Sequence, residues 1–179
     1  MLLKPLQLKR SGNLEADDIR YLGGKYSLLE RIKKGGIGST KVLYESGIQA
    51  FDALDNGVAN ESSFVNFELM RNGLVFRLNR TQRLRCLGIR LSDIEAIHLI
   101  AYRIEIKVRG AKKIVHRGEL EIVDREGESS SFRVVARNFK GILKFFGKEE
   151  FAGKFFYTLS DNPPEKDLGS LTGLLDGLL

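Results

Sequence analysis

A mainly β, α+β fold is what this sequence predicts: an antiparallel meander of about seven strands closed by one C-terminal helix, with short helices ahead of it. Three observations predict it. From residue 63 the apolar period becomes two, with Val65, Phe67 and Leu69 alternating against Asn66, Glu68 and Met70. Turn signals then recur at short intervals, at Asn72-Gly73, at residues 110–113 and at Glu126-Gly127. After the last alternating run the period lengthens, placing Phe139, Ile142, Leu143 and Phe146 on one side of a helix. A chain of 179 residues, 42% hydrophobic and 29% charged, is long enough to bury a core around such a frame.

The elements follow in order. Asn13 is positioned to cap a helix over 14–22, closed by Gly23-Gly24. A second helix over 27–34 is expected to bury Leu28, Leu29 and Ile32, with Lys33 and Lys34 in its last turn and Gly35-Gly36 beyond. Residues 41–45 suit an extended segment, and Ile48, Phe51 and Leu54 share a face of a third short helix. Strands are expected over 65–70, 74–79, 83–91, 94–101, 103–109, 114–124 and 131–137, then a helix over 138–148 capped by Asn138. Residues 149–159 fit either a helix (Phe151, Phe155, Phe156, Leu159) or a strand (Phe155, Tyr157, Leu159). Asn162-Pro163-Pro164 breaks the chain ahead of a leucine-rich tail interrupted by Gly169, Gly173 and Gly177. The expected organisation is a segment of short helices and loops over 1–62, a β domain over 63–148, and an aromatic-rich extension with its tail over 149–179.

About seven antiparallel strands and a closing amphipathic helix resemble the pleckstrin-homology-like fold, an orthogonal sandwich or barrel capped at one end. The strand Gly73-Leu74-Val75-Phe76-Arg77-Leu78, followed by Ile89-Arg90-Leu91-Ser92-Asp93-Ile94-Glu95-Ala96-Ile97, is similar to bacterial pleckstrin-homology-like and GRAM-like domains. The resemblance covers about half the chain. It departs from the best-known eukaryotic members in lacking their C-terminal tryptophan, since the chain has none. It implies a non-catalytic module that binds phosphoinositides, peptides or partner domains.

The formal charge of +6 is concentrated in the strands: residues 61–120 carry 12 basic and 6 acidic side chains, against 9 and 7 before them and 8 and 10 after. An Asn72-Gly73 turn would set Glu68 opposite Arg77 and Phe67 opposite Leu78, and a three-residue loop at Arg80-Thr81-Gln82 would set Arg77 opposite Arg85. The outer face then carries the row Glu68, Arg77, Arg85, with Arg83 beside Asn79. Arg77, Arg80, Arg83 and Arg85 are thus one candidate site for phosphate or carboxylate. Against it stands an ordinary solvated sheet face, since the row nets only +1. A second basic cluster, Lys107, Arg109, Lys112, Lys113 and Arg117, sits at a hairpin tip that could rest weakly on an anionic membrane or simply keep an exposed edge soluble.

Other chemistry finds little support. In Gly35-Gly36-Ile37-Gly38-Ser39-Thr40-Lys41 the lysine follows the hydroxyls, the reverse of a phosphate-binding loop, and the run reads as a flexible linker. His98, His116 and the single Cys86 have no metal-ligand spacing, and Cys86 reads as a packed thiol. No catalytic residue, metal or cofactor is expected. The cationic strands lack exposed aromatics to stack bases, which argues against nucleic acid. One cysteine and the absence of a long apolar run make the cytoplasm the expected compartment. The sequence therefore predicts a binding or scaffolding module for a protein partner or for itself, because the phenylalanine-rich helix and leucine tail exceed what one small core covers. Peripheral contact with anionic lipid is the alternative and an enzyme of unknown type the third.

Overall fold

The computed structural model describes residues 2–52, 63–80, 83–108 and 111–161. Within these residues the chain forms β1 (Lys4–Leu6), α1 (Ala16–Tyr21), α2 (Leu28–Lys33), β2 (Val42–Ser46), α3 (Gln49–Asp52), β3 (Phe64–Met70), β4 (Gly73–Arg80), β5 (Arg83–Arg90), β6 (Ile94–Val108), β7 (Ala111–Asp124), β8 (Ser129–Ala136), α4 (Lys140–Phe146), a 3₁₀ turn (Glu149–Phe151) and β9 (Phe155–Ser160). The fold is mainly β with few short helices.

All nine strands belong to one mixed sheet in the order β1-β5-β4-β3-β2-β8-β7-β6-β9. Every neighbouring pair is antiparallel except β6 and β9, which run parallel. The order is open, ending on β1 at one side and β9 at the other, so the sheet is not a closed barrel. Two of its strands come from ahead of residue 63: β2 lies where an extended segment was expected over 41–45, whereas β1 falls in a part expected as helices and loops. β1 extends the sheet beyond β5, and β2 lies between β3 and β8, joining the two meanders. The two strands expected over 94–109 are one, β6, of 15 residues.

The sheet curls so that one face encloses the main core. Val65, Phe67 and Leu69 of β3, Leu74, Phe76 and Leu78 of β4, Leu87 and Ile89 of β5, Ile97 and Leu99 of β6, Leu120 and Ile122 of β7, and Phe132 and Val134 of β8 all belong to it. Phe76 and Phe132, two strands that are not neighbours, meet edge to face at 5.9 Å. α4 closes this core with Ile142, Phe145 and Phe146, joined by Phe139 and Phe151. The phenylalanine-rich helix expected to outrun the core is therefore consumed by it. Its N-cap is Phe139 rather than the expected Asn138, whose Oδ1 accepts from the Lys140 N–H at 3.1 Å just ahead of the helix.

The opposite face of β3, β4 and β5 is buried as well. Leu6, Leu14 and Leu22 of the N-terminal segment cover Met70, Val75 and Cys86. Two strand glycines make this possible. A Cβ on Gly73 would lie 2.5–3.0 Å from three Leu22 side-chain atoms, and one on Gly88 would lie 2.8 Å from Leu6 Cδ1.

These seats correct both expected registers. Met70 pairs with Gly73, leaving Arg71-Asn72 as the turn, and Phe67 pairs with Phe76 rather than Leu78. Gly73 is a strand residue held under Leu22, not a turn residue with positive φ. Arg80 pairs with Arg83, so the second loop has two residues rather than three and Arg77 lies opposite Cys86, not Arg85. That one-residue change sends Leu87 and Ile89 into the main core and turns Leu84 and Cys86 toward the N-terminal segment.

The first helix starts later than expected. Glu15 is its N-cap, and the Asn13 side chain donates to Ser11 Oγ instead. The glycine run read as a flexible linker is tied along β3, with Ser39 N–H donating to Phe67 O and Leu69 N–H to Ile37 O. Leu54, expected in the third helix, and the tail over 162–179 lie outside the described residues.

Candidate functional site

The first arginine cluster is dispersed by the fold. Arg77 Nε donates to Glu68 Oε2 at 2.6 Å, and both side chains are largely buried. Its Nη1 also reaches Gly12 O at 3.4 Å and Cys86 Sγ at 3.5 Å. Arg77 is thus a staple fastening the N-terminal segment to the sheet, with its charge matched by Glu68. Arg85 is exposed opposite Leu78, on the other parity of β5, and leaves the expected row. Arg80 and Arg83 are backbone register partners at the end of the β4–β5 hairpin.

The second cluster is at the end of the β6–β7 hairpin. Lys107 pairs in register with Lys112, and Lys113 is exposed opposite Ile106. The Lys112 ammonium lies 2.7 Å from Glu105 Oε1, both exposed. Arg109 lies outside the described residues. Arg117, counted with this cluster from sequence, is instead buried against the Glu45 carboxylate, with Nε donating to Oε2 at 2.8 Å. Arg117 borders a polar cleft of about 330 Å³ lined also by Ser46, Tyr102 and Glu119.

Cys86 is buried beneath the N-terminal segment, and burial pushes its thiol up to about 11 despite the nearby Arg77 charge. The sulfur is thereby kept protonated and unreactive at neutral pH. His98 stacks on Phe156 at 5.2 Å, while His116 Nδ1 lies 3.0 Å from Arg137 O. Each histidine has a packing role in its own place. Among the described residues, no group of three or more His, Cys, Asp or Glu is arranged to hold a metal ion, and no helix is long and apolar enough to cross a membrane.

The surface features that remain are apolar, and sequence reasoning located them only in part. Residues 149–159, open between helix and strand, resolve into the 3₁₀ turn and β9. Phe155 packs on Phe146 with ring centroids 5.1 Å apart, and Lys154 Nζ donates to Leu91 O and Ile94 O, which anchors the start of the strand. Beyond Phe155 the strand runs past the core. Phe156, Tyr157 and Leu159 are 49%, 40% and 54% exposed, beside the exposed Ile100 of β6. The strand Phe-Phe-Tyr-Thr-Leu-Ser holds no charge and no proline. Among the described residues no strand pairs with its outer side.

The second apolar feature is α2. Leu28, Leu29 and Ile32, expected to be buried, are 73%, 71% and 67% exposed, and no residue of this helix is buried. Its polar groups make the internal contacts instead. Both features carried a signal in the sequence, an apolar strand pattern and an apolar helical face, but only the positions of their neighbours decide that those faces are open.

No protein-family model matches the chain, and comparison with curated proteins and with solved structures finds no match.

Proposed function

We propose that the protein is a non-catalytic binding or scaffolding module of pleckstrin-homology-like type, and that its principal contact is with a second copy of itself along β9. The observation that carries this reading is the edge strand β9: six residues without charge or proline, three of them exposed and apolar. Such an edge is a template for strand addition, and natural sheets usually block it. An uncharged strand is also complementary to itself, because antiparallel pairing of two copies brings no like charges together. A second copy is therefore the partner whose chemistry is in hand.

The pleckstrin-homology-like part of the reading is supported by the seven consecutive strands β2 to β8, whose pairings with one another are all antiparallel and which are followed directly by α4. The non-catalytic part is supported by the packing roles of Cys86, His98 and His116. Anionic-ligand binding through the β4–β5 arginines is weakened by the pairing of Arg77 with Glu68.

The test is size-exclusion chromatography with light scattering over a range of concentrations, on the full chain and on a chain ending at Asn162. The reading expects a concentration-dependent dimer in both. A monomer at all concentrations in both would overturn it.

A further inference from the structure

We propose that α2 is a bilayer-contact element, placing Leu28, Leu29 and Ile32 among the lipids of an anionic membrane and Lys25 and Lys33 against its headgroups. The three apolar residues sit at positions i, i+1 and i+4, which at about 100° per residue puts them in one narrow arc of the helix. An ordinary amphipathic helix turns that arc to the core. Here the helix is held the other way round.

The tethers are specific. Ser27 and Glu30 form a reciprocal capping box, with the Ser27 N–H donating to Glu30 Oε2 at 2.7 Å. Glu30 is also held by Arg71 Nη2 at 2.9 Å, from the β3–β4 turn. At the other end the Lys34 ammonium contacts Glu149 and Glu150, and Lys148 Nζ donates to Lys34 O at 2.6 Å. Arg31 Nε donates to Tyr26 O, and Tyr26 is itself buried. The polar residues of α2 thus fix it to the domain while its apolar residues project outward.

Charge and shape identify the occupant. Glu30 is committed to Ser27 and Arg71, whereas Lys25, ahead of the helix, and Lys33, in its last turn, are exposed. The cationic flanks suit anionic headgroups, and short cationic helices with leucine faces are suited to lying at a bilayer interface. A side chain exposed by about 70% stands on a convex ridge. A protein partner would need a matching groove, whereas a fluid bilayer conforms to the ridge.

The chain contains no tryptophan, so Leu29→Trp provides a single fluorescent reporter at the exposed face. It is mixed with phosphatidylcholine vesicles, with and without a phosphatidylserine fraction of about one third. The expected result is a blue-shifted emission and flotation with the anionic vesicles, both reduced by high salt. The triple variant Leu28→Gln, Leu29→Gln, Ile32→Gln, whose circular dichroism and melting should match the wild type because these residues are exposed, is expected to partition at least about tenfold less. Unchanged emission with anionic vesicles at low salt would overturn the proposal, as would a triple variant that floats like the wild type. A blue shift that appears in buffer as protein concentration rises, without vesicles, would overturn it in favour of a protein contact.

Discussion

The two ends of the sheet are built by opposite rules. β1 is three residues long, and its middle residue, Pro5, has no N–H to offer. Two residues on, the Gln7 N–H is taken by Asp18 Oδ2 at 2.6 Å, and the same carboxylate holds Lys4 Nζ at 2.8 Å. Leu6 is seated over Gly88, and the Lys4 ammonium lies 4.4 Å from the Tyr21 ring. β9 is twice as long, uncharged, and unaccompanied by a further strand among the described residues. The difference teaches that, among the described residues, this fold sets a covering segment over one sheet edge and no further strand along the other. The N-terminal segment is what accomplishes the closure, and Arg77, first read as part of a binding surface, serves to hold it.

The comparison can be broken hardest from the covered side. Gly73→Val would drive a side chain into Leu22 and lift the covering segment, at a cost of about 3 kcal/mol measured by chemical denaturation. Arg77→Met removes the staple and leaves Glu68 without its cation, for an expected loss of about 2 kcal/mol. It should also make Cys86 accessible to iodoacetamide at pH 8. In the wild type the thiol is buried and its ionisation lies near 11, so it stays protonated at that pH and labelling should be slow until the protein unfolds. Asp18→Ala, which removes the acceptor for Gln7 N–H and Lys4, is expected to cost about 1–2 kcal/mol and to speed amide exchange along β1. On the open side, Tyr157→Lys should change stability by no more than about 0.5 kcal/mol while abolishing self-association, because Tyr157 is exposed and the lysine charges would meet across the pair.

Much of the frame was legible in residues 63–148, because alternation and turn residues are local signals. The registers were not, and for a definite reason. In β5 both parities are apolar, Leu84 and Cys86 on one and Leu87 and Ile89 on the other, so alternation alone cannot choose between them. The choice is made by Leu6 and Leu14, which lie roughly seventy to eighty residues away in sequence and cover the second face. The Glu68–Arg77 pair survived the corrected register because the two remain diagonal neighbours, with Glu68 opposite Val75 and Arg77 opposite Asn66. For α2 the apolar arc was visible, but its direction depends on Arg71, Glu149 and Glu150, contacts that no local pattern encodes.

The central claim, that β9 is an available edge and β1 a closed one, is tested most directly by amide hydrogen exchange across a concentration series. Exchange along β9 should slow as protein concentration rises, while exchange along β1 stays constant, and Tyr157→Lys should remove the concentration dependence. Exchange along β9 that is indifferent to concentration in the wild type would contradict the account.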